Sequence, residues 1–167
     1  MQDITFRQAE EKDFDRIHEI ALKGWLFAYN YLPKEALKNL VSDYYSKENL
    51  KSSLRKVKHG TDLFIVAADK NKVAGFCHVG VKNSEGEIYR LYIDLSFIGK
   101  GIGKRLLLKG ELFLREKGCK KCLTFVNKFN KLGADFYIRN GYVHIPELDK
   151  EDEFKNGKVL WCVEKRL

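Results

Sequence analysis

The sequence has few of the features that mark specialised protein classes. Two of its 167 residues are proline and one is methionine, and no internal repeat or Pro/Gly-rich linker divides the chain. No apolar run approaches the ~18 residues that a membrane-spanning helix needs, so we expect no contact with membranes. Residues 1–6 carry neither a basic nor an apolar signal region, which favours a cytoplasmic protein.

Cysteine is also scarce. The four cysteines, at positions 77, 119, 122 and 162, are too few for a disulfide scaffold. Cys119 and Cys122 have the spacing of a redox motif or of half a zinc site. No second CxxC or HxxxH supplies the two further ligands that zinc requires. We therefore expect small apolar packing residues here, and no metal.

The residues that are abundant describe a folded globular protein. The chain is 44% hydrophobic and 32% charged, and its length predicts one domain over residues 1–167. A net charge of +8 attracts phosphate groups, yet no block of like charges forms a nucleic-acid-binding arm. We interpret the charge as a solvated surface, part of which serves a phosphate-bearing cofactor. A basic nucleic-acid binder is a disfavoured alternative.

The spacing of the apolar residues changes along the chain, from helical spacing in the first third to short apolar runs typical of strands. Alternation over residues 4–7 predicts a short first strand. Helical spacing then predicts a helix around residues 12–27, a second with Pro33 in its first turn, and a third from Leu50 to a stop at Gly60. Short apolar runs then predict three strands, and the second half alternates helix and strand. The predicted elements there are strands at 63–68, 73–81 and 87–93, a helix from 102 to Gly118, a strand at 123–126, a helix at 131–139 and a strand at 158–165. This order indicates a mixed α/β sheet with helices on both faces.

A glycine-rich turn, Ile98-Gly-Lys-Gly-Ile-Gly-Lys104, joins a predicted strand to a predicted helix. Glycines allow successive backbone N–H groups to converge on an anion, and the helix N-terminus adds its dipole. The turn could hold a diphosphate. It follows the fourth strand and lacks the Walker A spacing, so it fits neither a dinucleotide-binding Rossmann unit nor a P-loop.

At these residues the sequence resembles the GCN5-related N-acetyltransferases, the GNAT superfamily. Lys100-Gly-Ile-Gly103 matches the glycine half of the acetyl-CoA signature of that family, although Ile98 stands where Arg or Gln is usual. The run from Asn130 to Tyr142, with Phe136-Tyr137 and Gly141, resembles a second family motif. The resemblance implies a mostly antiparallel, twisted sheet of six to seven strands. It also implies an acetyl-CoA cleft where strand 4 splays from strand 5, a separation that a β-bulge often aids.

The resemblance further implies which residues bind the cofactor. The backbone of the fourth strand would pair with the pantetheine arm as an added strand does. The glycine turn would hold the pyrophosphate, and the Asn130 side chain would contact the cofactor, cap the helix, or do both. The cofactor-binding residues predicted in this way are Leu91, Tyr92, Ile93, Gly99, Lys100, Gly101, Ile102, Gly103, Lys104 and Asn130.

Acetyl transfer to an amine requires proton transfer at two places. Tyr137 corresponds to the family's usual acid for the departing thiolate. Glu87 is the candidate base, acting on the ammonium directly or through water; an ordinary exposed glutamate is the alternative. A backbone N–H near Ile93 is the expected oxyanion donor.

Two further features bear on the acceptor. Trp25, Tyr29, Leu32 and Pro33 resemble a pattern of the PaiA-type polyamine acetyltransferase branch. Five carboxylates fall within the seven residues 147–153, a segment that by family analogy borders the acceptor site. This segment would attract a cationic acceptor, or would be a solvated loop.

The sequence therefore favours an acetyl-CoA-dependent N-acetyltransferase that acts by direct transfer on a primary amine, with a polyamine as the leading acceptor. A protein or peptide N-acetyltransferase and a non-catalytic acetyl-CoA sensor are the alternatives. We expect a small-molecule amine as partner, neither nucleic acid nor membrane, and allow for a homodimer.

Overall fold

A computed structural model describes residues 4–70, 72–155 and 157–167. These residues form five helices and eight strands in chain order. They are β1 Ile4–Gln8, α1 Phe14–Ala28, α2 Lys34–Tyr44, α3 Lys47–Lys58, β2 Asp62–Asp69, β3 Lys72–Lys82, β4 Glu85–Ile93, α4 Ile102–Glu116, β5 Lys121–Asn127, α5 Lys131–Arg139, β6 Val143–His144, β7 Lys150–Glu151 and β8 Lys158–Arg166. No helix among them combines the length and apolar character that a membrane span needs.

The elements follow the sequence prediction closely. Helix α5 has the predicted bounds, and Gly60 and Gly118 end their helices with positive φ angles of 76° and 83°. Pro33 lies immediately before α2 as its N-cap, one position earlier than predicted. The two-residue strands β6 and β7 were not predicted, because pairs this short carry no periodicity.

The eight-stranded sheet has the order β1-β2-β3-β4-β5-β8-β6, and β7 also pairs with β8. All neighbouring strands are antiparallel except β4 and β5, which run parallel. Six strands have five residues or more, which agrees with the predicted number. The mixed, mostly antiparallel α/β sheet is therefore confirmed.

Side chains alternate between the two faces of the sheet and pack into two cores, one on each face. Ile65 and Cys77 belong to the core beneath α4 and α5. Phe64 and Phe76 belong to the core beneath α1 and α2. Helices thus cover both faces, as predicted. All four cysteines are free and buried, in agreement with the packing role expected of them.

One buried carboxylate ties α4 to the C-terminal strand. The Glu111 side chain is 1% exposed, and both of its oxygens lie 3.0 Å from Lys165 Nζ. The Tyr142 hydroxyl donates to the same carboxylate over 3.1 Å. A buried charge is tolerated only when it is paired in this way. The contact fixes the helix whose N-terminus forms the glycine turn.

Lys165→Met should lower the free energy of unfolding by about 3 kcal/mol, because it leaves Glu111 buried without its cation. The double variant Glu111→Leu/Lys165→Met is the control, since it removes the stranded charge and should recover most of that loss. Urea unfolding of the two variants measures both values. A double variant as unstable as Lys165→Met would show that the loss comes from packing and not from charge.

Candidate active site

A cleft opens where β4 and β5 separate. The two strands pair only at Gly86 with Cys122 and at Glu87 with Leu123. One step further on, Thr124 Oγ1 still bridges to the Ile88 carbonyl over 2.9 Å. Beyond that point the strands diverge around a cleft of about 430 Å³, which α1, the glycine turn and α5 complete. The splayed cleft predicted between strands 4 and 5 is therefore present.

A β-bulge marks the inner end of the cleft. His78 pairs with Arg90 while the next residue, Val79, pairs with Ile88, so Tyr89 is an extra residue in β4. A bulge bends and twists its strand, which turns the following backbone away from β5. The β5-facing edge of residues 91–93 thus has free donors and acceptors. Leu91, Tyr92 and Ile93 all line the cleft.

The end of β4 is anchored by a buried carboxylate. Burial alone would raise the pKa of Asp94, but hydrogen bonds from Ser96 and Arg16 outweigh it and lower that pKa to about 2. Arg16 reaches Asp94 from α1 and also bonds the Val73 carbonyl. The anchor holds the strand end, and with it the start of the glycine turn.

The glycine turn has the backbone that an anion cradle requires. Gly99 and Gly101 have φ angles of 82° and 74°, and the space beside each is empty for 4 Å. Gly101 caps the N-terminus of α4, whose first N–H groups have no intrahelical partner. The open backbone and the helix dipole together fit a diphosphate.

The side chains of this turn lie in different environments. Gly103 lines the cleft, whereas the Ile102 side chain is buried beneath it. Lys104 is exposed on the first turn of α4, and Lys100 lies 4.6 Å from the ring of Phe97. The structure therefore offers the backbone of Ile102 and the charge of Lys104 to a ligand at the turn.

Asn130 caps its helix, as expected, and lies at the cleft. Its Oδ1 accepts from the Gly133 N–H over 3.0 Å, which makes it the N-cap of α5. The residue also lines the cleft.

Tyr137 faces the cleft from α5 with little solvent contact. It is 8% exposed, and its ring lies 5.3 Å from those of Phe136 and Tyr142. Burial raises the pKa of Tyr137 far above its ordinary value, and the neighbouring Thr124 opposes this only in part. The phenol therefore keeps its proton at neutral pH, as a general acid must.

Glu87 is placed differently from the other predicted residues. It lies in the paired part of β4 opposite Leu123 and is not among the residues that line the cleft. Its side chain is 19% exposed and lies 3.4 Å from Lys82 Nζ. The position of Glu87 outside the cleft lining does not support its role as the base, which stays a prediction.

Aromatic residues of the first two helices meet the acidic segment near the cleft. The Trp25 ring lies 5.1 Å from Tyr29, which lines the cleft, and 5.9 Å from Tyr44. Trp25 Nε1 donates to the Tyr92 hydroxyl over 2.8 Å. The Tyr44 hydroxyl donates to Glu153. Burial and that carboxylate raise the pKa of Tyr44 to about 12.

Sequence reasoning missed several residues of the cleft, among them Tyr89 and Thr124. Tyr89 lines it only because of the bulge, which depends on strand register and leaves no mark in the sequence. Thr124 bridges the strands at the point of divergence. A lone hydroxyl on an otherwise apolar buried strand was a usable signal for Thr124.

Comparison with known proteins agrees with this geometry. Residues 60–144 match the family profile of the acetyltransferase (GNAT) domain. The chain belongs to the GNAT family. A spermidine N(1)-acetyltransferase of Thermoplasma acidophilum is 29% identical over 141 residues, which cover 83% of this chain and 88% of the relative.

Solved GNAT structures superpose over nearly the whole chain. The PaiA N-acetyltransferase of T. acidophilum in complex with coenzyme A has a TM-score of 0.88 at 25% identity and covers 99% of both chains. A GNAT acetyltransferase of Staphylococcus aureus Mu50 has a TM-score of 0.76 at 17% identity over 98% of this chain and 99% of the other. The GNAT protein described here is an acetyl-CoA-dependent N-acetyltransferase, which confirms the expected enzyme class and cofactor.

Gly101→Val should abolish the rise in melting temperature that coenzyme A produces. The β-branched side chain would extend into the empty space beside the turn and block a phosphate. Gly118→Val is the matched control, because Gly118 has a similar φ angle at the other end of the same helix. Differential scanning fluorimetry should show comparable destabilisation in both variants. A coenzyme A response in folded Gly101→Val would place the pyrophosphate elsewhere.

Proposed function

We propose that this GNAT enzyme transfers the acetyl group of acetyl-CoA to a primary amine of a polyamine. The observation that carries the proposal is the hydrogen bond between Tyr44 and Glu153. It joins an aromatic cluster on the first two helices to the acidic segment, 109 residues later in the chain. The acceptor of the T. acidophilum relative, spermidine, is an amine of this kind.

The surroundings of that hydrogen bond suit an alkyl chain carrying several ammonium groups. Aromatic faces attract cations and pack against methylene groups. Trp25, Tyr29 and Tyr44 supply such faces. The Asp152 carboxylate lies close enough to add to the raised pKa values of Tyr29 and Tyr31. Carboxylates beside the rings favour an ammonium over a neutral or anionic acceptor.

Asp152→Asn/Glu153→Gln should raise the KM for spermidine about tenfold at low ionic strength while kcat changes little. The variant loses two carboxylates that attract the ammonium groups, but no group that takes part in acetyl transfer. The effect should shrink at high salt. Glu147→Gln/Glu151→Gln is the control, since it makes the same charge change in the same segment at two exposed side chains.

Initial rates across polyamines, amino acids and peptides test the proposal as a whole. Equal KM values for spermidine in the two double variants would show that residues 147–153 are a solvated loop with no specific role in binding the acceptor. A peptide turned over faster than any polyamine would reassign the acceptor.

We assign the cofactor to the cleft by the groups that suit its parts. The free edge of residues 91–93 would hydrogen-bond the pantetheine amides as a neighbouring strand would. The backbone of Gly99–Lys104 and the α4 N-terminus would hold the pyrophosphate. Asn130 would contact the cofactor from the start of α5. When bound, acetyl-CoA supplies an activated acetyl thioester, which an amine attacks.

Tyr137 is proposed as the acid that protonates the coenzyme A sulfur. It lines the cleft and carries its phenolic proton at neutral pH, although the raised pKa makes it a weaker donor than an exposed tyrosine. Proton donation at the transition state lowers the barrier without adding to ground-state binding.

Tyr137→Phe keeps the ring and its contacts with Phe136 and Tyr142 but removes the O–H. The value of kcat should fall roughly 10²-fold, while the affinity for coenzyme A stays within about twofold. Stopped-flow and steady-state rates measure the first, and calorimetric titration measures the second. An unchanged kcat with chemistry rate-limiting would leave Tyr137 a packing residue.

A further inference from the structure

A second cavity lies directly behind the cleft. It is a groove open to solvent, lined by residues of helices α1–α3 and strands β2–β4, and has a volume of about 820 Å³. Tyr89, Arg90 and Tyr92 of β4 line both spaces. One water occupies about 30 Å³ in the liquid, so this cavity holds many. A single strand thus separates the acetyl-CoA cleft from a large space with polar walls.

A buried imidazole–carboxylate pair forms part of the wall of the second cavity. His78 Nε2 lies 2.8 Å from Asp62 Oδ2, and the two side chains are 4% and 3% exposed. The other carboxylate oxygen accepts from the Thr61 hydroxyl over 2.9 Å. Since a carboxylate can only accept, Nε2 must carry the imidazole proton.

The remaining imidazole nitrogen is therefore a lone-pair acceptor. His78 Nδ1 is buried and has no hydrogen-bond partner within residues 4–70, 72–155 and 157–167. A buried polar atom without a partner is costly in a native protein unless water or a reacting group satisfies it. A histidine held by a carboxylate on one nitrogen and open on the other has the arrangement of a general base.

The surroundings of His78 favour its neutral imidazole, the form that can accept a proton. Burial lowers the pKa of His78 below its ordinary value of 6.5, and the nearby cations Arg90 and Lys56 lower it further. Asp62 opposes them. The Tyr89 ring contacts the imidazole at 5.0 Å. Its hydroxyl, whose pKa burial raises to about 12, stays protonated. The imidazole is thus the neutral group at pH 7.

Tyr89 connects this pair to the cleft. As the bulge residue of β4 it lines both spaces. A Cβ at Gly80 would lie 2.6 Å from Asp62 Oδ1 and 2.8 Å from Tyr89 Cε2, so the carboxylate and the ring meet over that glycine. The strand is therefore irregular where the two spaces adjoin.

We propose that His78 accepts, through water in the second cavity beside Tyr89, a proton lost by the acceptor ammonium, and that Asp62 is its positioning residue. The nitrogen loses two protons in all. One travels to His78 Nδ1 and then to solvent. The nitrogen electron pair forms the C–N bond and the C–S electrons leave with sulfur. Tyr137 gives that sulfur its proton, and the second proton lost by the nitrogen restores the Tyr137 phenol. This step uses the acetyl transfer of the GNAT enzyme and does not depend on which amine is the acceptor.

The dependence of kcat on pH at saturating substrates tests the proposal. In the natural enzyme kcat should be level near pH 7 and fall tenfold per pH unit below the His78 pKa, because the imidazolium cannot accept a proton. His78→Gln should lower kcat about 10²-fold at pH 7. The level region should also disappear, since the rate then follows hydroxide.

A second histidine–carboxylate pair provides the matched control. His144 Nε2 lies 3.0 Å from both Asp149 oxygens but lines neither space. His144→Gln should keep the natural kcat and its pH profile. Nitrogen-15 NMR of the enzyme without substrates gives an independent readout. His78 should be the Nε2–H tautomer, with a titration midpoint that matches the kcat profile.

Several outcomes would overturn the proposal. A folded His78→Gln variant with natural kcat and acid limb would make the pair structural, as would the Nδ1–H tautomer in the NMR spectrum. Loss of the acid limb in Glu87→Gln, with that limb intact in His78→Gln, would assign the base to Glu87. If His78→Gln does not fold, Asp62→Asn decides, because its amide no longer fixes the tautomer. Unchanged kcat in that variant rejects the proposal.

Discussion

Two adjacent strands that share only two paired positions must satisfy the rest of their backbone groups in another way. In this sheet β4 and β5 pair at Gly86 and Glu87 and then part. The bulge at Tyr89 turns β4 away, and the Thr124 hydroxyl covers one of the exposed carbonyls. The remaining backbone edge is an open position in the sheet. A ligand with peptide-like amides would complete it, so the cleft is a direct result of incomplete strand pairing.

The two faces of the sheet carry different chemical groups. The α4 and α5 face carries the glycine turn, Asn130 and Tyr137, which suit a phosphate-bearing thioester. The α1–α3 face carries the aromatic cluster and the buried His78, which suit the amine and its proton. Strand β4 belongs to both faces, and different helices hold it just after its last residue and next to its bulge. Arg16 of α1 holds Asp94, and Arg90 bonds Ser53 of α3. Tyr29 of the aromatic cluster lines the cleft together with Asn130 and Tyr137, so the two sets of groups adjoin at β4.

The sequence predicted well what depends on local pattern. Bounds of α5, the N-cap at Asn130 and the glycine turn follow from capping and backbone rules that act within a few residues. The family motifs then supplied the mostly antiparallel sheet and the cleft between strands 4 and 5. What escaped prediction depends on register and on contacts between distant segments. The resemblance implied a bulge but not its position at Tyr89, and neither the bond from Tyr44 to Glu153 nor the pairing of His78 with Asp62 exists until strands and helices are assembled. Glu87 shows the same limit, because its place in β4 was predicted but its distance from the cleft lining was not.

The burial of the cysteines has a kinetic consequence. Cys77 and Cys122 lie in the core beneath α4, and burial raises the pKa of both thiols, that of Cys122 to about 12. No cysteine is among the residues that line the cleft. A protonated, shielded thiol is a poor nucleophile, so the acetyl group has no thiolate on the protein to which it could be passed. The amine and acetyl-CoA must then be bound together before either product leaves. Double-reciprocal plots at fixed acetyl-CoA concentrations should intersect, whereas an acetylated enzyme would give parallel lines.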